Sequence, residues 1–275
     1  DNVESINGIP AEELAEAARL YATAKAASIL YCMGITQHSH GTDNVKSLAN
    51  LAMLCGHMGK PGTGVNPLRG QNNVQGACDM GGLPNVYTGY QPVSDLAIAK
   101  KMEEAWGVND LPTKPGLTVT QMIPKAHAGE FKALYIIGEN PLVSDPDLNH
   151  AEASIKHLDF LVVQDIFLTE TAQLADVVLP AASFAEKDGT FTNTERRVQR
   201  VRKAIDSPGE ALPDWQITAA IAQKMGAKGF DFEDESQIIQ EIASVTPSYG
   251  GISYDRLEGD GLQWPCPSPG HSGTT

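Results

Sequence analysis

Apolar residues in this chain fall into short blocks separated by glycine- and proline-bearing polar turns. After Ile9, the run Pro10-Ala11-Glu12-Glu13 places proline and acid where a first helical turn accepts them. Leu14, Ala17, Ala18 and Tyr21 then continue a helix to about Ala27. ASILYCM, closed by Gly34, has the continuous apolar character of a buried strand. The polar turn ITQHSHGT follows, after which Thr42 or Asp43 is placed to cap a helix carrying Val45, Leu48, Leu51, Ala52 and Cys55 on one face. A glycine-rich stretch and about forty residues without clear periodicity intervene before Pro124. Regular alternation then returns: FKALYIIG as a strand, a helix around 147–157, DFLVVQD and DVVLPA as strands, and two helices over WQITAAIAQKMG (with Asp214 as cap) and SQIIQEIASV. Val/Ile/Leu strands alternating with helices predict an α/β fold, a mostly parallel sheet with helices on both faces.

Such sheets gather ligands at the carboxyl ends of their strands. Three predicted strands end in Gly138-Glu139-Asn140-Pro141, Gln164-Asp165 and Leu179-Pro180-Ala181. Carboxylates and amides there suit ribose hydroxyls or a purine ring; Asn140 and Asp165 equally suit turns and helix caps. No GxGxxG fingerprint is present, which argues against a nicotinamide enzyme. The segment Gly62–Gly82, GTGVNPLRGQNNVQGACDMGG, has six glycines, the amides Asn66, Gln71, Asn72, Asn73 and Gln75, and one cation, Arg69. Glycines allow close backbone approach, and one guanidinium among neutral donors suits a small planar carboxylate. This is the composition of a binding loop.

At 275 residues and 41% hydrophobic, 20% charged, the chain has room for one large or two smaller globular domains. Its net charge of −14 argues against a nucleic-acid or anionic-membrane surface, and no apolar run approaches the ~20 residues a bilayer requires. The four cysteines, Cys32, Cys55, Cys78 and Cys266, form no CxxC pair, so neither a cluster nor a zinc site is assigned; Cys32 and Cys55 read as small buried hydrophobes. His38 and His40 lack a third ligand nearby and read as loop hydrogen-bonding residues. ERRVQRVRKA reads as a solvated edge strand, with docking of an anionic cofactor or another domain as the alternative. The tail WPCPSPGHSGTT reads as a linker, and with the opening Asp1 it suggests a piece of a longer polypeptide.

At MGITQHSHGTDNV, CGHMGKPGTGVNPLRGQNNVQGACDMG, QDIFLTETAQLADVVLP and GTFTNTERRVQRVRKA the chain resembles the molybdopterin oxidoreductases, and within them the formate dehydrogenase catalytic (alpha) subunits. The resemblance implies oxidation of formate to CO2 with two electrons passed to a molybdenum or tungsten centre held by two molybdopterin guanine dinucleotides. It implies a 4Fe-4S cluster, with cluster and metal ligands outside this chain, and an isolated chain without activity. It places Arg69 on the formate carboxylate. Met33, Gly34, Gln37 and Gln71 would line one dinucleotide; Gly138, Glu139, Asn140 and Ser144 would form a phosphate and ribose shell; Gln164, Asp165 and Asp214 would recognise the dinucleotide. Residues 1–71 would end one α/β domain and 72–275 form the second segment of another. The implied partners are formate, the rest of its own polypeptide and electron-transfer subunits, with no nucleic acid and no membrane insertion, in the cytoplasm. A non-catalytic relative, such as the large iron–sulfur subunit of a respiratory NADH complex, is the alternative.

Overall fold

A computed structural model describes residues 2–274. The chain divides into two compact units after Val74.

The first unit opens with helices α1 (Asn2–Asn7) and α2 (Ala11–Thr23), the latter with Glu12 and Glu13 in its first turn. The α2 helix stops four residues short of Ala27. Strand β1 (Ser28–Tyr31) leads into one helical turn, α3 (Met33–Thr36), within what the sequence presents as a plain polar turn. Helix α4 (Gly41–Leu54) begins earlier than its candidate caps, on Gly41. A Cβ at Gly41 would lie 2.0 Å from the Thr36 carbonyl oxygen, so only glycine lets the two helices follow so closely. Strand β2 (Gly64–Pro67) pairs parallel with β1 in register Ser28↔Gly64 to Tyr31↔Pro67. The glycine-rich stretch is therefore not one loop: it supplies a strand at one end and helix α5 (Val74–Asp79) at the other.

The second unit contains α5, the short antiparallel pair β3 (Val86–Tyr87) and β4 (Gln91–Pro92), and helices α6 (Leu96–Trp106) and α7 (Val119–His127). Next come β5 (Ala133–Ile137), α8 (Pro141–Ser144), α9 (Leu148–Lys156), β6 (Phe160–Asp165) and β7 (Val177–Pro180). These three strands form a parallel sheet in the order β5-β6-β7. Alternation puts Ile136, Leu161 and Val163 on one face, where they pack with Ile155 of α9 and with Ala172. Tyr135, Ile137, Phe160 and Val177 point to the other face and are 39, 51, 46 and 38% exposed, so helices do not seal both faces within this chain.

A second sheet follows, with strands β8 (Gly189–Thr192) and β9 (Arg197–Val201), helices α10 (Asp214–Lys224) and α11 (Glu235–Val245), and strand β10 (Leu262–Gln263). It is antiparallel, in the order β10-β9-β8. The α/β class is as the alternation predicts, but half of the strands lie in antiparallel sheets that the apolar runs do not announce. The cation-rich segment is the central strand of its sheet and not an edge. The proline-rich tail is packed and not a loose linker: Cys266 is fully buried beside Val198, Tyr249, Ile252 and Leu257, and its N–H donates to the Ser248 carbonyl at 2.8 Å. Cys32 and Cys55, expected in the core, are only half-buried.

Candidate functional site

Parallel pairing of β1 and β2 sends both chains out at the same end of their sheet. There the Leu68 N–H donates to the Tyr31 carbonyl at 2.7 Å. Met33 and Gly34 begin α3 on one exit and Gln37 caps it; Arg69 and Gln71 follow the other. All five are exposed. The α3 turn is held by Gln37 N–H to the Met33 carbonyl (2.8 Å) and by His38 Nε2 against the Gly34 carbonyl (2.8 Å), the loop role read for that histidine. The first unit thus collects one cation, an amide pair and a thioether at one strand-end surface.

The parallel sheet of the second unit repeats the arrangement. Gly138 leaves β5 with φ +63°, a left-handed turn that favours glycine, and its N–H donates to the Gln164 carbonyl at 2.9 Å. Glu139 accepts a hydrogen bond from the Ser144 hydroxyl. Asn140 precedes α8 without capping it. Its amide donates to Glu170 Oε2 at 2.8 Å, and its Oδ1 accepts from the Thr171 hydroxyl at 2.7 Å. That contact holds the Glu170 carboxyl below its usual range. Asp165 Oδ1 accepts from the N–H groups of Ile166 (2.7 Å) and Phe167 (3.3 Å), which fixes the carboxylate at the end of β6.

Gln164 is fully buried between two polar neighbours: Tyr135 donates its hydroxyl to Oε1, and Nε2 donates to Asp214 Oδ1 at 2.7 Å. The pairing Ala181↔Leu212 carries the chain back to this strand end and delivers Asp214 there. Asp214 is the first residue of α10, not its cap; Pro213 holds the cap position, and the carboxylate is engaged by Gln164 and Lys187. Burial, with the Asp214 charge second, pushes the Tyr135 hydroxyl above its ordinary range. Glu170, Thr171, Tyr135 and Lys187 were not legible as members of this cluster; only the TET run beside QDIFL hinted at the first two. A cavity of about 430 Å³ opens alongside, lined by Leu142, Leu148, Asn149, Glu152, Glu170, Gln173 and Leu174.

Two sequence readings change here. Four of the five cations of ERRVQRVRKA pair with carboxylates, which weakens the reading of the segment as an anion-docking patch. Arg200 pairs with Glu258 (2.8 Å) and Asp188 (3.6 Å), Arg202 with Glu258 (2.6 Å), Arg197 with Glu195 (2.8 Å) and Lys203 with Asp206 (2.7 Å). Arg200 also stacks 3.7 Å over the Tyr254 ring and Arg196 lies 5.3 Å over Trp264. Secondly, Gln75 and Asp79 of the supposed binding loop are buried and bonded inward.

The molybdopterin oxidoreductase model matches residues 14–224, a span that contains every strand-end residue described above. The chain belongs to the molybdopterin oxidoreductase family. It is 58% identical over 275 residues to the F420-dependent formate dehydrogenase 2 subunit alpha of Methanococcus maripaludis, covering all of this chain and 40% of that protein. With formate dehydrogenase H of Escherichia coli it shares 45% over 267 residues, 97% of this chain and 37% of the relative. The chain thus spans 40% of the length of the F420-dependent formate dehydrogenase alpha subunits it matches. Its fold is similar to acetylene hydratase from Pelobacter acetylenicus, with a TM-score of 0.67 at 19% identity, covering 95% of this chain and 38% of that one. Among the described residues no three His, Cys, Asp or Glu side chains could hold a metal ion, and no helix is long and apolar enough to cross a membrane.

Proposed function

We propose that this chain is part of a catalytic subunit that oxidises formate to CO2, using a molybdenum or tungsten centre on two molybdopterin guanine dinucleotides. The observation that carries the reading is the placement of Arg69 and Gln71 at one sheet end with Met33, Gly34 and Gln37, in a chain 58% identical to a protein named as a formate dehydrogenase subunit. The donor chemistry fits. Arg69 is a permanent cation able to hold a carboxylate through two parallel hydrogen bonds, and it aligns the substrate by position and charge, not by proton exchange. Gln71, Gln37 and the Gly34 backbone offer neutral contacts to one dinucleotide, with Met33 covering an apolar edge.

At the second strand end the acidic set Glu139, Asp165 and Glu170 would repel phosphate but accept from ribose hydroxyls and from the N–H edge of guanine. Phosphates would therefore meet the second hydrogen of the Asn140 amide, while the Gly138 N–H and the Ser144 hydroxyl, already donating to Gln164 and Glu139, shape the turn around it. Gln164 and Asp214, already bonded to each other, would support that edge. When bound, the metal cofactor supplies the two-electron acceptor. A 4Fe-4S cluster and electron-transfer subunits, with ligands and contacts outside this chain, complete the proposal.

Metal and nucleotide analysis of the full-length protein tests it. Two guanine nucleotides released per molybdenum or tungsten are expected on acid hydrolysis. A protein that carries iron–sulfur clusters but neither guanine nucleotide nor either metal would be the scaffold relative instead.

A further inference from the structure

Four side chains beside the carboxyl end of the parallel sheet form one hydrogen-bonded row. The Tyr135 hydroxyl donates to Gln164 Oε1, Gln164 Nε2 donates to Asp214 Oδ1 at 2.7 Å, and Lys187 Nζ donates to Asp214 Oδ2. Every donor in the row is directed toward the Asp214 carboxylate, through an amide on one side and an ammonium on the other. The contributors come from separate elements: Tyr135 from β5, Gln164 from β6, Lys187 from the segment between β7 and β8, and Asp214 from the start of α10. Lys187 is itself anchored, because Nζ also donates to the Ala182 carbonyl at 3.0 Å.

Tying α10 to the sheet would need only one of these grips. Two grips, one on each oxygen, also fix the rotation of the carboxylate plane, a torsion that is otherwise broad for aspartate. Asp214 nevertheless keeps 39% of its side chain exposed, against 24% for Lys187 and none for Gln164. A carboxylate oxygen has two acceptor sites, so each can take one more hydrogen bond. The open edge therefore suits a planar group with two parallel N–H donors, such as N1–H and the 2-amino group of guanine.

We propose that Lys187 and Tyr135 are positioning residues that hold the Asp214 carboxylate in the plane that accepts a guanine base. The inference rests on the reading of this strand end as a guanine dinucleotide site. Neither residue touches the base: Lys187 acts on Oδ2 directly, and Tyr135 acts through the Gln164 amide. With either grip loosened, Asp214 keeps its charge and loses its aim. Discrimination between bases then suffers more than the affinity they share.

The test is calorimetric titration of the full-length protein, freed of its cofactor, with GMP and with IMP, which lacks the 2-amino group. Two GMP sites are expected, and the one that Asp214→Asn weakens is the one read. There GMP should bind roughly 10-fold tighter than IMP, the worth of one charge-assisted hydrogen bond. Lys187→Met should cut that preference to about 3-fold or less, and Lys187→Arg should restore much of it. Tyr135→Phe should act the same way by less, and it decides the matter if Lys187→Met does not fold. A purely structural tie would lower both affinities together and leave their ratio unchanged. If GMP binds no better than IMP, or no site loses its preference in Asp214→Asn, the guanine reading of this strand end is wrong. If Asp214→Asn loses the preference while Lys187→Met (or, where that variant does not fold, Tyr135→Phe) keeps it, the positioning role is refuted and the guanine reading stands.

Discussion

Arg69→Ala in the full-length protein is expected to lower kcat/KM for formate at least ~10-fold. A charged hydrogen-bonding grip on a small anion is worth roughly 1.5–3 kcal/mol, which translates to about 10- to 150-fold in rate. Formate offers one carboxylate and one C–H bond, so loss of the grip removes both affinity and aim. Arg69→Lys should recover only part of the loss, because an ammonium cannot present two parallel donors to a planar anion. Pterin and metal content should stay at the level of the unsubstituted protein, since Arg69 is exposed. Steady-state kinetics over a formate series read the effect; unchanged kcat/KM in a metal-loaded Arg69→Ala protein would remove this residue from the site.

Asp79→Ala should strongly destabilise the second unit. It removes the acceptor of three hydrogen bonds, those from Gln75 Nε2, the Tyr249 hydroxyl and Trp264 Nε1. Each orphaned group costs about 1–3 kcal/mol, and the lost side-chain volume adds to that. A total of about 3 kcal/mol or more is expected even allowing for relaxation. At 2–4 °C per kcal/mol for a domain of this size, the melting midpoint should fall by roughly 6–12 °C. Tyr249→Phe removes one donor and should cost about a third as much. A scanning-calorimetry midpoint within about 2 °C for Asp79→Ala would show that the network does not hold the unit together.

Much of the parallel architecture is readable from hydrophobic period alone. FKALYIIG, DFLVVQD and DVVLPA form β5, β6 and β7 as expected, because fully apolar strands between glycine and acid turns admit few other structures. The forty residues before Pro124 concealed two helices whose signals are local and polar. Asp95 caps α6 by accepting from Ala97 and Ile98, Gly107 ends it at φ +64°, and Thr118 with Gln121 forms the capping box of α7. Such caps lie at the helix ends and leave no apolar stripe along the chain. The antiparallel sheet was hidden for another reason. Its central strand β9 alternates Val198 with arginines whose charges are met by Glu258, Asp188 and Glu195, far away or on the next turn. A strand read alone shows unpaired cations and suggests an edge.

The candidate site divides in the same way. Strand-end residues such as Asn140 and Asp165 are legible because topology fixes where strand ends gather. Their partners are not: Glu170 and Thr171 reach Asn140 across about thirty residues, and Lys187 meets Asp214 across 27. Asp79 is the sharpest case. In sequence it is the lone acid of a loop that looks made for binding, whereas its donors Tyr249 and Trp264 lie 170 and 185 positions away. The tail carrying Trp264 and Cys266 looks like a linker because proline and glycine mask packing that depends on a buried Cys266 and a half-buried Trp264.

Conversion of 13C-formate by the full-length, metal-loaded protein tests the central claim most directly. The account predicts one 13CO2 for every two electrons delivered to an artificial acceptor. Protein that carries its full complement of metal and guanine nucleotide yet releases no 13CO2 would contradict it.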